Sequence, residues 1–156
     1  MTPRGYVGVV GPSGDPDPVV LQAAEEVGHR LAQAGVVVVT GGGTGVMTAA
    51  SRGAAAAGGT VLGLLPGSDR REGNPHLTLS LPTGLGELRN ALLVRSADAL
   101  VAVGGSWGTL SEVALACRTG VPVFALHGWD LPADGGPVAV ADPAEAVASV
   151  LGVLGG

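Results

Sequence analysis

The stretch Val103-Gly-Gly-Ser-Trp-Gly-Thr-Leu-Ser-Glu112 decides how this chain is read. It follows the apolar run Ala97–Val103, ADALVAV, and leads into a second apolar segment ending at Thr119-Gly120. A short unbroken apolar run before glycines, then a longer segment stopped by glycine, reads as strand, turn and helix. The same succession recurs outward from this point. Tyr6–Gly11, Val36–Thr40 and Thr60–Pro66 read as buried strands, as does VPVFAL (Val121–Leu126). HLTLSLP holds a further short strand. Between them, helices are expected from Asp17-Pro18 to Ala34, from Val46 to Ala57, from Leu85 to Ser96 and from Leu110 to Thr119. A last helix opens at Asp142-Pro-Ala-Glu145, close to a capping box. Asp17-Pro18 supplies an N-cap followed by proline at the first helical position, and Gly35 supplies a stop. Strands alternating with helices predict an α/β fold: a Rossmann-like, doubly wound parallel sheet in three layers. No repeat or linker divides residues 1–156, which read as a single domain.

Composition narrows the function classes. Of the 156 residues 46% are hydrophobic and 13% charged, the balance of a packed globular chain. The net charge is −5, with no basic run, which argues against a nucleic-acid polymer as partner. The longest uncharged run, Leu31–Ser51, contains five glycines and reads as strand plus loop rather than as a membrane span. The single cysteine, Cys117, and an N-terminus without a signal-peptide core point to a reducing, cytoplasmic setting. All eight basic residues are arginine. Without lysine there is no Schiff base to pyridoxal phosphate and no Walker A loop. His29, His76 and His127 are scattered without metal-ligand spacing, so no metal site and no cofactor is expected.

In a doubly wound sheet, ligands bind beyond the carboxyl ends of the strands. Three glycine-rich turns fall there: Gly11–Gly14, Gly41–Gly45 and Gly104–Gly108. Glycine lets amide groups approach an anion, and a helix N-terminus adds unpaired N–H donors. The third turn has both features, with hydroxyls at Ser106 and Thr109. Neither of the first two turns completes the GxGxxG dinucleotide fingerprint.

Two charged residues stand out. On a helix from Leu85, spaced at about 100° per residue, Arg89 falls with the apolar residues Leu85, Leu88 and Leu92. An arginine on such a stripe needs an anion or carbonyls as partners, or else snorkels from its edge. Glu112 lies in the first turn after the glycines. There it either faces a ligand or closes a capping box with Thr109 as N-cap. Trp107, projecting from the turn, stacks on a base, meets a neighbouring subunit or folds under its own helix. Trp129 lies in the loop that follows the VPVFAL strand.

The motifs GGGTGVMTAASRGA (Gly41–Ala54) and ELRNALLVRSADALVAVGGSWGTLSE (Glu87–Glu112) resemble those of the LOG-type (Lonely Guy) nucleotide phosphoribohydrolases, formerly labelled lysine decarboxylases. The resemblance covers about residues 5–127. Within that group the chain is most similar to a small bacterial branch that also resembles molybdenum cofactor carrier proteins. The family pattern is GGG-x-G-x-M, Arg-Lys on a helix, then PGGxGTxxE. The resemblance implies catalytic roles for Arg89 and Glu112, and a 5′-phosphate held by Gly105, Ser106, Trp107, Gly108 and Thr109. It adds Gly42, Gly43, Gly45 and Met47 as ligand-binding positions, beside Gly11 and Ser13 of the first glycine turn and Asn90 next to Arg89. Asn90 replaces the family lysine, Gly104 the proline and Ser106 the second glycine. The implied function is binding of a nucleoside 5′-monophosphate-like ligand with hydrolysis of its N-glycosidic bond. The alternative is a non-catalytic carrier of a phosphorylated nucleotide or molybdopterin-type cofactor. A homodimer or larger homo-oligomer is expected from the resemblance. The helix Leu110–Ala116, apolar on both faces, points the same way, because such a helix is buried.

Overall fold

The computed structural model describes residues 2–155. Seven strands form one parallel sheet in the order β4-β3-β2-β1-β5-β6-β7. The strands are β1 (Tyr6–Val10), β2 (Val37–Thr40), β3 (Val61–Leu65), β4 (Leu79–Pro82), β5 (Ala99–Val103), β6 (Val123–Leu126) and β7 (Val138–Ala139). The helices are α1 (Pro18–Gln33), α2 (Val46–Ala56), α3 (Arg89–Ser96), α4 (Trp107–Thr119) and α5 (Pro143–Gly155). The expected Rossmann-like architecture is the one observed.

Residue alternation along the central strands builds two cores. Val7, Val9, Val101 and Val103 point to the layer of α1, α2 and α5. Val10, Val39, Leu100 and Ala102 point to the layer of α3 and α4. These central strands are covered on both faces, so their runs are apolar throughout. The caps read from the sequence form as well. The Asp17 carboxylate accepts the Val19 N–H at 2.8 Å, and Gly35 and Gly120 take φ of 80° and 82° past the ends of α1 and α4. At α5, Asp142 accepts the Glu145 N–H at 2.8 Å while Glu145 accepts from Ala141 at 2.7 Å.

The order reverses at β1, which has β2 on one side and β5 on the other. That reversal opens a crevice at the carboxyl ends of β1 and β5. The turns after β1, β2 and β5 all lie at this edge, and α2 and α4 begin from two of them.

Three expectations are corrected. The helix foreseen from Leu85 begins only at Arg89, because Gly84 and Gly86 take φ of 67° and 59° and a short 3-10 turn, Gly86–Leu88, precedes it. Leu85, Leu88 and Leu92 therefore stay exposed, and the face that packs on the sheet carries Leu93 and Val94. Helix α4 starts at Trp107, not Leu110, and is not buried all round: Thr109, Val113 and Ala116 face inward while Ser111 and Ala114 are exposed. The loop 67–76, GSDRREGNPH, whose polar composition predicts a mobile segment, is anchored rather than free. Asn74 donates its backbone N–H to Gly42 O at 2.9 Å and its side-chain amide to Gly43 O at 3.1 Å. Strand β7, two residues long, had no counterpart in the sequence pattern.

Helices α1 and α2 cross with backbone against backbone. A Cβ on Gly28 would strike the Ala50 carbonyl, and one on Gly53 the Glu25 carbonyl. Gly53→Ala is expected to destabilise the fold by about 1–3 kcal/mol, lowering Tm by about 3–10 °C in thermal unfolding followed by circular dichroism. An unchanged Tm would show that the two helices are free to separate.

Candidate functional site

The three turns meet around one cavity of about 150 Å³. Gly11 and Ser13 line it from the first turn, Gly41 and Met47 from the second, and Ser106, Gly108 and Thr109 from the third. Arg89 and Asn90 enter from α3, and Glu112 from the first turn of α4.

The start of α4 is built differently from the sequence expectation. Ser106, not Thr109, is the N-cap: its Oγ accepts the Thr109 N–H at 3.1 Å and lies 2.8 Å from the Thr109 hydroxyl. Thr109 is buried beneath this contact. The capping box is therefore absent, and Glu112 is left to the cavity. The Gly104 N–H is taken by Leu126 O at 2.8 Å, and the Leu110 N–H by Ser106 O. The N–H groups of Ser106, Trp107 and Gly108 have no acceptor among the described residues. They are the orphan donors of a helix N-terminus, carrying its partial positive charge.

Arg89 finds carbonyls rather than a carboxylate. Its Nη1 donates to Gly41 O at 2.6 Å and Leu64 O at 2.9 Å, tying α3 to the ends of β2 and β3. Its Nε is buried with no partner among the described residues. Burial lowers the guanidinium pKa from its ordinary value, while Glu112 opposes that shift. Arg89 makes no ion pair with Glu112: the ion pairs among the described residues are Arg30–Glu26, Arg52–Glu25 and Arg71–Asp69. Burial pushes the Glu112 carboxyl up to about 7, and the charge of Arg89 only partly offsets it. Such a carboxyl exchanges a proton near neutrality.

The remaining sequence candidates separate into two groups. Gly42, Gly43 and Gly45 shape the second turn but do not line the cavity. Gly42 takes φ of 76° against Leu65, and Gly45 takes φ of 64° against the Pro12 carbonyl. Gly43 gives its carbonyl to the Thr48 hydroxyl at 2.8 Å. Gly105 and Trp107 likewise lie outside this cavity. A Cβ on Gly105 would come within 2.6 Å of Trp129, so this glycine admits an indole, not a ligand. Trp107 is 79% exposed and meets Trp129 edge-on, ring centroids 4.9 Å apart at 74°. It is not folded under its own helix. The involvement of Trp129 and the Asn74 clamp have no sequence signature, because both arise from loops packing across the sheet edge. Among the described residues there is no cluster of metal-ligating side chains, and no helix is long and apolar enough to cross a membrane.

A parallel sheet with unpartnered helix-terminal amides at its switch point defines the class: a Rossmann-like α/β protein. The chain belongs to the SLOG cluster4 family, which its residues 4–147 match. It is 38% identical over 122 residues to an uncharacterized protein of Archaeoglobus fulgidus, covering 77% of this chain and 78% of that one. It is 34% identical over 94 residues to a probable cytokinin riboside 5′-monophosphate phosphoribohydrolase of Oryza sativa subsp. japonica, spanning 58% of this chain but 38% of the rice protein. The molybdenum cofactor binding protein of Rippkaea orientalis superposes with a TM-score of 0.92 at 32% identity, covering 99% of both chains. The molybdenum cofactor carrier protein of Chlamydomonas reinhardtii gives 0.88 at 36% identity, covering 97% of this chain and 99% of that one.

The raised Glu112 value gives a stability test. Between about 4.5 and 7 the folded chain holds a proton on Glu112 that the unfolded chain has released. Its contribution to stability therefore falls as pH rises through that window and levels off above it. Glu112→Gln should gain on the parent by an amount on the order of 2 kcal/mol between pH 4.5 and 8, read from urea unfolding of both proteins at each pH. A gap that does not vary with pH would place the carboxyl in water.

Proposed function

We propose that this chain binds a small phosphate monoester with its phosphoryl group at the N-terminus of α4, and holds it as a carrier. The observation that carries this is the set of unpartnered N–H groups at Ser106, Trp107 and Gly108, beside a cavity that Arg89 also lines. Amides and a guanidinium supply donors and positive charge for an oxyanion. The unpartnered Nε of Arg89 is one more donor beside that space, since a buried N–H without an acceptor is costly. Ser13, Asn90 and the Thr109 hydroxyl complete the polar lining, and Gly11, Gly41 and Met47 close the floor. Gly42, Gly43 and Gly45 serve by holding the second turn in shape. The carrier role is supported by similarity along nearly the whole chain to proteins whose names record molybdenum cofactor binding or carriage. The cargo would be a molybdopterin-type cofactor or a nucleotide.

Hydrolysis is a second reading, favoured by one observation: a carboxyl held at about 7 inside the same cavity. In this reading the substrate is a nucleoside 5′-monophosphate. Glu112, ionised, takes a proton from water as the water oxygen bonds to C1′ of the ribose. The C1′–N bond breaks, its electron pair leaves with the base, and the base is protonated. Arg89 then acts through its carbonyl bonds, fixing the wall opposite Glu112. The family lysine is absent here, with Asn90 in its place, which weighs toward carriage.

Gly108 offers the direct test of the anion site. A Cβ there meets nothing closer than Ser106 Oγ at 4.0 Å, so a larger side chain fits the fold and fills the space before the amides. Gly108→Val should keep the parent's circular dichroism and lose at least about tenfold in affinity for ribose 5-phosphate, which has no ring to place, by calorimetry. Retained affinity would remove the anion site. Carriage and hydrolysis part in one incubation: with nucleoside monophosphates followed by chromatography, carriage leaves every ligand intact, whereas release of free base at a rate abolished by Glu112→Gln establishes hydrolysis.

A further inference from the structure

The inner cavity does not stand alone. A wider groove of about 480 Å³ lies between α3 and α4, lined by Leu88, Ala91, Trp107 and Leu115 among others. The two spaces share Asn90 and Gly108 in their walls. At that junction Gly108 leaves the path open, having no side chain and no neighbour in its Cβ direction nearer than 4.0 Å. The inner space is polar, with amides, Arg89 and Glu112; the outer one joins aliphatic walls and an indole to a polar margin of Glu87 and Ser111. Such a pairing suits a ligand with an anionic end and a flat apolar end.

Trp107 is the outer feature most in need of explanation. An indole 79% exposed at the first position of a helix leaves a large apolar surface in water. It is held by edge contact with Trp129, which itself lies against Gly105 on the anion turn. The ring is thus braced from the turn that carries the free amides. Asn90, at the junction, presents both an amide donor and a carbonyl acceptor to a polar linker.

We infer that the groove between α3 and α4 is the subsite for a planar nitrogen heterocycle attached to the phosphate monoester, with Trp107 as its stacking wall and Asn90 reading the linker between ring and phosphate. This rests on the anion site proposed above and adds what selects the ligand. Purine nucleotides and phosphorylated pterins share this chemistry, and both are flat, polar-edged and anionic at one end.

The chain's only two tryptophans are these two, so its tryptophan emission reports on this place alone. The test is calorimetric and fluorimetric titration of the full chain with ribose 5-phosphate, adenosine, AMP and 6-hydroxymethylpterin phosphate, repeated on Trp107→Ala and Trp107→Phe. AMP or the pterin phosphate should bind about tenfold or more tighter than ribose 5-phosphate, with a change in emission, since stacking on an aromatic side chain carries roughly that factor. Which of the two binds tighter identifies the source of the ring. Trp107→Ala should bring that ratio toward one, and Trp107→Phe should restore most of it. Adenosine separates the two readings: weak binding lost in Trp107→Ala supports the ring subsite even if ribose 5-phosphate fails to bind and the anion site falls. Equal affinity of AMP, pterin phosphate and ribose 5-phosphate in the parent would overturn the inference. So would equal loss for all three in Trp107→Ala. An emission that responds to protein concentration but to none of the ligands, with sedimentation showing a dimer, would assign the groove to a second copy and overturn it as well.

Discussion

Two hydrogen bonds from one guanidinium hold the crevice in shape. Arg89 Nη1 joins the first carbonyl after β2, Gly41 O, to the last part of β3, Leu64 O, and does so from the first residue of α3. Carbonyls at the carboxyl end of a parallel strand have lost their sheet partner and need a donor. A short helix of eight residues would be marginal alone, so its position depends on such anchors and on the burial of Leu93 and Val94. Fixing α3 fixes the distance across to α4, and with it the cavity and the outer groove. Gly41 is part of the same device: a Cβ there would collide with the guanidinium.

The same anchoring explains the electrostatics. With Arg89 committed to carbonyls, Glu112 has a positive neighbour but no ion-pair partner, and burial outweighs the attraction. Below about pH 7 a protonated Glu112 beside orphan amides and Arg89 leaves the local field positive in a chain whose net charge is −5. In the proposed anion site, acceptance of a phosphate would depend on that proton as well as on backbone donors.

Most of the fold could be read from the sequence because its signals are local. Valine runs such as Val36–Val39 mark buried strands, and Asp17-Pro18, Gly35 and Gly120 punctuate helices by their own stereochemistry. The failures share a cause. Extending a helical wheel back through Gly86 assigned Leu85 and Leu88 to the core, although a positive φ there breaks the helix before it starts. Thr109-Leu-Ser-Glu112 has the letters of a capping box, but Ser106 caps the helix one turn earlier by accepting the Thr109 N–H, so Thr109 lies inside α4. Of the site, Arg89, Glu112, Ser106, Gly108 and Thr109 were legible because glycines and a helix start converge on them. The separation of Gly105 from that group was not, because it depends on Trp129 arriving from a loop more than twenty residues later.

The sheet's two borders carry a consequence of their own. One ends with β7, two residues long; the other with β4, four residues whose last, Pro82, has no amide hydrogen to offer. An open parallel sheet with long, flat borders would recruit strands from its neighbours. Here the rim is too brief at one side and interrupted at the other to template such growth. A valine-rich chain with little surface charge is thereby kept from stacking into fibrils by the shape of its margins.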